Sequence, residues 1–305
     1  MKPSIAVICL MGPTGAGKTA ASLALAGDFP VTVINADSRQ IYRDFPLLTA
    51  RPTPEEEAVC PHRLFGFLPT EEKLGAGEYA RLAGAVIAEE HAQGRVPLLV
   101  GGTGLYFRAL LDGMADIPSV PEHVAAAWRA RCDAEGPAAL HALLAEVDQA
   151  TAARLHPNDR QRICRALEVH EATGKPLSWW HKRPPAKSPF RALRLCLELP
   201  LAELEPRLAR RIDLMLEAGA LEEARAALTR CADPTAPGWS GIGCREVYAH
   251  LMEDLPFEAC KALWLRNTRA YAKRQLTWFR AEKNLVRLAP DDIRQIRALA
   301  RAHLS

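Results

Sequence analysis

Residues 12–19, Gly12-Pro13-Thr14-Gly15-Ala16-Gly17-Lys18-Thr19, separate an apolar run, Ile5–Met11 (IAVICLM), from an Ala-rich segment that begins at Ala20. All fixed positions of the phosphate-binding pattern GxxxxGK[ST] are filled. Each residue type has a mechanical reason. Glycines let the backbone curl so that several N–H groups point inward at phosphate oxygens. A helix starting near Lys18 adds the positive end of its dipole. Lys18 brings a point charge to the terminal phosphate, and the Thr19 hydroxyl is a ligand for Mg2+. The loop alone leaves open an ordinary ATP- or GTP-hydrolysing protein. Such enzymes place an acidic residue at the end of another strand. The run VPLLV (96–100) ends instead in Gly101-Gly102-Thr103-Gly104, and the acid at a strand end is Asp37, in VINADSRQIY (33–42).

Outward from the loop, residues 5–10, Val31–Asn35 and 96–100 are short, β-branched or Leu-rich and almost continuously apolar. That is the pattern of parallel strands covered on both faces. Helical segments at 20–26 and 79–93 lie between them, and the alternation predicts a doubly wound parallel α/β sheet. After Asp112 the character changes: residues 118–174 are helical and Ala-rich, with no strand candidate. WWHKRPPAKSPF (179–190) reads as a Pro-broken connection. In LRLCLEL (193–199), Leu193, Leu195, Leu197 and Leu199 alternate with Arg194, Cys196 and Glu198, a period-2 strand. The sheet is therefore expected to be interrupted by an all-helical insertion: 1–117 the first part of the core, 118–190 the insertion, 191–305 the second part. The remainder reads as helix, longest over 261–283.

The length of 305 residues suits one large domain or two. Apolar residues make up 49% and charged residues 25%, ordinary globular values. A net charge of +3 does not by itself announce a nucleic-acid partner, so any such role rests on local clusters. None of the eight cysteines forms a C-x-x-C pair, which predicts reduced thiols in a cytoplasmic protein. The N-terminal apolar run is too short for a signal peptide, and no stretch approaches the roughly 20 apolar residues of a membrane span.

Five segments together, in this order and spacing, resemble the bacterial tRNA dimethylallyltransferase (tRNA isopentenyltransferase) family: GPTGAGKT (12–19), ADSRQIYR (36–43), VGGTGLYFRALLDG (100–113), RLHPNDRQRICRALEVHEATGKPLS (154–178) and YAKRQLTWFR (271–280). The resemblance runs from Gly12 to Arg280. It implies a P-loop core with a helical insertion that grips the tRNA anticodon stem-loop, and no protein partner. It also implies a reaction, transfer of the five-carbon group of dimethylallyl diphosphate to the exocyclic amine of the adenosine 3′ of the anticodon. The loop would then hold a diphosphate leaving group, with Lys18, the loop amides and Thr19-bound Mg2+ where negative charge grows. A nucleotide is not required.

The same resemblance implies roles residue by residue. Asp37 takes the proton of the attacking amine; a Mg2+-shell acid and a simple helix N-cap are the other readings of that residue. Asp37, Ser38, Arg39 and Gln40 match an RNA-contacting segment, and Thr103 a position near the target base, although GGTGLY is also a tight strand-to-helix turn. Gln161, Arg162, Ile163, Cys164 and Arg165 fall in the tRNA-contacting helix. Its own residues predict a cap at Asn158 or Asp159 and an end near Gly174, with Ile163, Leu167 and His170 on one side and Gln161, Arg162, Arg165 and Glu168 on another. Arg211 matches an arginine at the diphosphate, with Arg210 the alternative. In the last long helix Leu265, Ala272, Leu276 and Phe279 read as a core stripe, and Arg266, Arg269, Lys273 and Arg280 as a solvated or RNA-facing one.

Some positions depart from the family pattern: Arg63, Phe65 and Gly66, the pair Cys244-Arg245, and the surroundings of Leu48. Two other readings accommodate the loop and the insertion, a small-molecule kinase with a lid and an RNA-binding ATPase switch.

Overall fold

The computed structural model describes residues 4–183 and 188–305. In chain order the first part runs β1 (Ile5–Met11), α1 (Lys18–Ala26), β2 (Val31–Asn35), α2 (Pro54–Glu57), β3 (His62–Arg63), α3 (Ala76–Ala92), β4 (Val96–Gly101) and α4 (Gly104–Leu111). Helices follow: α5 (Glu122–Glu135), α6 (Pro137–Val147), α7 (Gln149–Ala152), α8 (Arg160–Thr173) and α9 (Leu177–His181). The chain then returns as β5 (Phe190–Leu197), α10 (Leu201–Glu217), α11 (Ala220–Arg230), α12 (Cys244–Met252), α13 (Phe257–Ala281), β6 (Val286–Leu288) and α14 (Ile293–Leu304). Contacts divide it into two compact units, Met1–Leu111 with Ser188–Ser305, and Asp112–Lys187. Of the segment read as a Pro-broken connection, residues 184–187 lie outside the described residues.

The first unit is built on a six-stranded sheet, order β3-β2-β4-β1-β5-β6, in which every pairing is parallel. β1 is central, with Cys9 opposite Leu99 on one side and Arg194 on the other. Successive side chains point to opposite faces. Ile8 and Leu10 therefore join Leu98, Leu195, Leu204 and Leu276 in one core layer, and Val7, Cys9 and Met11 join Ile34, Leu99, Tyr79 and Phe279 in the other. Cover on both faces is why these strands read as unbroken apolar runs. Because all strands are parallel, the loops after β1, β2 and β4 emerge at one edge of the sheet, where α/β proteins bind ligands.

Two expectations change. Leu195, Cys196 and Leu197 of β5 are all buried, so the period-2 reading of 193–199 does not describe a half-solvated strand. β5 sits between β1 and β6 and begins at Phe190. β6, read as part of a helical remainder, is a three-residue edge strand with Leu288 alone buried, too short to leave a periodic signal.

Among its described residues the second unit has helices and no strand. Its core gathers Cys132, Leu140, Leu144, Ala152, Ile163, Cys164, Ala166 and Leu167. α8 starts where the Asp159 side chain accepts the Arg162 amide, and it ends at Gly174 in the left-handed conformation (φ 65°).

Candidate active site

β1 ends at Met11 and the chain turns at Gly12 (φ 143°), where a Cβ would stand 2.4 Å from the Leu197 carbonyl oxygen. α1 opens at Lys18 with no side-chain cap and no acidic residue in its first turn, so its N-terminal amides remain available to an anion. Lys18 Nζ donates to the carbonyls of Gly12 (3.0 Å) and Pro13 (2.8 Å). Burial lowers its pKa to about 8; the Asp37 charge opposes that shift and Arg211 adds to it.

The loop is fixed from two other elements. Arg211 of α10 donates to Thr14 Oγ1 at 2.9 Å, while its neighbour Arg210 is exposed. Burial pushes the Arg211 pKa down, opposed by the charges of Asp37 and Glu56. Gln275 of α13 accepts the Thr14 amide (2.9 Å) and donates to the Gly102 carbonyl (2.9 Å). That one side chain joins the loop after β1 to the loop after β4.

The loop after β2 is shaped by Asn35. Its side chain accepts the Asp37 amide (2.8 Å) and donates to the carbonyls of Asp37 and Leu64 (both 3.0 Å). Asp37 Oδ1 accepts the Arg39 amide at 2.8 Å. No helix follows Asp37, so the N-cap reading gives way to a side-chain-closed turn that aims the carboxylate. Thr103 Oγ1 accepts the Ser38 amide (2.9 Å) and lies 3.2 Å from Ser38 Oγ. The Thr103 amide donates to the Ala36 carbonyl (3.2 Å). Gly101 permits this approach, since a Cβ there would lie 2.1 Å from that carbonyl oxygen. Tyr271 lines the same region, and burial raises its phenol pKa. Arg39 reaches the Pro237 carbonyl (3.2 Å) and Ser240 Oγ (2.9 Å). The Gln40 amide is used internally, on the carbonyls of Thr49 (3.1 Å) and Ala50 (2.6 Å).

Part of this set borders a cavity of about 240 Å³. Thr14, Asp37, Arg39, Arg211 and Arg274 form its polar side; Leu48, Leu208, Ile212, Met215, Ile242 and Trp264 form its apolar side. The wall at Leu48 is held by Glu223, whose carboxylate accepts the amides of Leu47 (2.7 Å) and Leu48 (2.9 Å). Motif reading missed most of the wall. A signal was present: Trp264, Thr268, Tyr271 and Gln275 recur at steps of four, three and four on α13, and Leu208, Arg211, Ile212 and Met215 share one face of α10. Gln275 also sits within the apolar stripe of Ala272, Leu276 and Phe279, where a polar residue needs an internal partner.

The structure brings together residues 12–18 with Asp37, Thr103 and Arg211. Thr19 is exposed in the first turn of α1. Among the described residues no cluster of three His, Cys, Asp or Glu side chains could enclose a metal. The Thr19 hydroxyl and the Asp37 carboxylate are nonetheless oxygen donors of the kind that suits Mg2+, which keeps waters and substrate oxygens as its other ligands.

Gln161, Arg162 and Arg165 belong to the helical unit. Arg162 pairs with Asp159 (2.5 Å) and Arg165 with Glu168 (3.7 Å). Ile163 and Cys164 of that set are core residues, at 0% and 4% exposure, and their side chains have no surface to offer RNA. Glu168, placed on the polar side by spacing, is buried, which raises its pKa. On α13, Arg266, Arg269, Lys273 and Arg280 are exposed, and Arg269 pairs with Glu205 (2.7 Å).

The departures from the family pattern have local partners. Arg63 bonds Glu90, which is fully buried, at 2.5 Å; Cys244 is buried in an apolar cluster; and Arg245 pairs with Glu253 (2.8 Å). All eight cysteines are buried thiols outside any disulfide, and among the described residues no helix is long and apolar enough to cross a membrane.

Residues 40–282 match the family model described as IPP transferase, and residues 5–65 the one described as Isopentenyl transferase. The chain is 62% identical over 291 residues to a tRNA dimethylallyltransferase of Nitratidesulfovibrio vulgaris (strain DP4), covering 95% of this chain and 94% of the relative. Its structure is similar to the tRNA isopentenylpyrophosphate transferase of Bacillus halodurans: TM-score 0.72, 32% identity, covering 99% and 97% of the two chains. A eukaryotic dimethylallyltransferase described as acting on tRNA gives a TM-score of 0.81 at 29% identity, covering 99% of this chain and 78% of the other.

Proposed function

The chain belongs to the IPP transferase family and is a tRNA dimethylallyltransferase, and from that premise we propose how its cavity divides the work. The observation that carries the reading is a cavity in which Thr14 of the phosphate loop and Arg211 face Asp37 and an apolar wall, with Lys18 held against the Gly12 and Pro13 carbonyls of the same loop. The loop amides and the two cations take the diphosphate of dimethylallyl diphosphate. Leu208, Ile212, Met215 and Trp264 take its five-carbon tail and exclude water from the allylic carbon. The acceptor is the exocyclic amine of the adenosine 3′ of the anticodon, which leaves its stack to reach the cavity.

In the transfer the allylic carbon–oxygen bond breaks and its electron pair leaves on the diphosphate. The amine nitrogen forms the new bond to that carbon and loses one proton, which the Asp37 carboxylate accepts. An aromatic amine is a weak nucleophile because its lone pair is delocalised, so a base placed at the attacking nitrogen helps. Thr103, fixed by Ser38 and by the Ala36 carbonyl, orients the target nucleobase. Lys18, Arg211 and the loop amides stabilise charge where it develops on the leaving group. The Thr19 hydroxyl would hold Mg2+, which would supply further charge neutralisation at the diphosphate.

The test uses purified protein, labelled dimethylallyl diphosphate, Mg2+ and unmodified tRNA, without nucleotide. Label is expected on the amine of that adenosine. Label appearing only when ATP is added, or at another nucleoside, overturns the assignment.

A further inference from the structure

Two tryptophans of the helical unit stand outside its core. Trp179 and Trp180 of α9 belong to none of the apolar clusters, whereas Trp128 and Leu177 pack against the unit's core. Their rings meet edge to face, with centroids 4.9 Å apart. Cations surround them. The Arg183 guanidinium lies 3.8 Å from the Trp179 centroid and 5.6 Å from that of Trp180, and Lys175 Nζ lies 5.5 Å from Trp179. The pair is mounted firmly: Trp180 Nε1 donates to Thr173 Oγ1 (3.2 Å), and the Ser178 amide donates to the buried Asp148 carboxylate (2.9 Å).

Charge distribution within the unit singles out the same place. Arg129, Arg131, Arg160, Arg162 and Arg165 each pair with a carboxylate. Among the described residues, Arg154, Lys175, Lys182 and Arg183 have no such partner, and three of these four flank Trp179 and Trp180 in sequence. Half-buried aromatic faces beside unneutralised cations are the chemistry that holds single-stranded nucleic acid, with bases on the rings and phosphates on the cations. We propose that Trp179 and Trp180, with Lys175, Lys182 and Arg183, form a contact surface for unpaired nucleotides of the tRNA substrate. The surface deepens the tRNA reading and is separate from the α8 residues carried by the family motif.

The test measures affinity for an unmodified tRNA anticodon stem-loop and for a fully paired hairpin of equal length, across a salt series. Trp179→Ala with Trp180→Ala is expected to weaken stem-loop binding about tenfold or more and hairpin binding much less, while the Phe pair at the same positions restores it. Lys175→Gln and Lys182→Gln should each lower the salt slope by about one. Circular-dichroism melting identifies any variant that fails to fold, and the Phe pair then carries the test through the loss of tryptophan quenching by RNA. Unchanged stem-loop affinity in a folded Ala pair overturns the surface while leaving the transferase reading standing. Self-association lost in the Ala pair with RNA affinity intact would also overturn it, assigning the surface to a second copy. Failure of the unaltered protein to bind tRNA would instead remove the transferase reading itself.

Discussion

The side-chain carbonyl of Gln275 accepts the backbone amide of Thr14 at 2.9 Å, across 261 residues of chain. Its amide nitrogen donates to the Gly102 carbonyl, a contact buried from solvent. A phosphate loop is cradled by its own glycines, but here its position relative to Thr103 depends on a side chain from the longest helix. Both halves of the amide are used, so no other residue type can make the two contacts from that site.

Gln275→Leu removes both bonds and leaves a buried carbonyl and an amide without partners. Each such group costs about 1–3 kcal/mol. The variant should melt lower by several degrees and show a raised KM for the diphosphate donor. Gln275→Glu can still accept from Thr14 but not donate to Gly102, and its charge opposes a diphosphate. Its donor KM should therefore exceed that of the Leu variant at equal stability. Thermal melts and steady-state kinetics on the two variants check the order.

Lys18 carries the pH prediction. Burial lowers its pKa from 10.5 to about 8 in the ligand-free protein. Above about pH 8 the ammonium is lost, so donor affinity should fall as pH rises through that value, and diphosphate binding there should take up a proton. Calorimetry in buffers of different ionisation enthalpy reads that uptake. Lys18→Arg should bind without it, because a guanidinium stays charged. The sign for stability is opposite: between about pH 8 and 10.5 the unfolded chain binds the extra proton, so the ligand-free fold gains stability as pH rises through that window.

What was legible in the chain follows from how local the cause is. The loop at 12–19 and the strands at 5–11, 31–35 and 96–101 declare themselves because glycine conformation and double-sided burial act on neighbouring residues. Arg211 and Arg210 are adjacent, and only the packing of α10 decides which one reaches Thr14. Ile163 and Cys164 lie in the segment that resembles the tRNA-contacting helix, yet helical period places them inward while Gln161 and Arg162 face out. The apolar cavity wall was silent because Leu208, Ile212 and Met215 look like any core row until the opposite side of the cavity is in place. Glu223 was silent because its partners are backbone amides about 175 residues away.

Glu223→Gln tests that wall. One oxygen of the clamp becomes a carboxamide NH2, a donor, so the amide of Leu47 or Leu48 loses its acceptor and residues 47–50 loosen. The expected result is a several-fold rise in donor KM and a relaxed preference for five-carbon over ten-carbon diphosphates. Competition between dimethylallyl and geranyl diphosphate measures it. Unchanged selectivity would show that Leu48 needs no clamp.

Asp37→Asn separates the two remaining readings of that carboxylate. The turn should survive, since Asn Oδ1 can still accept the Arg39 amide and Asn35 still holds residue 37. What is lost is the ability to take a proton, worth about a hundredfold to ten-thousandfold in rate for a general base. The negative charge is lost as well. Asp37 supports the protonated form of Lys18, so removing it lowers the Lys18 pKa further. The comparison therefore belongs at pH 6.5–7, where Lys18 keeps its charge in both proteins and the donor remains held. Single-turnover rates across a Mg2+ titration then decide. A base leaves a defect that no Mg2+ concentration repairs, with tRNA and donor still bound. A metal-shell acid leaves a defect that shrinks as Mg2+ rises, and recovery of Asp37→Asn to near the unaltered rate would transfer the residue from proton acceptance to metal binding.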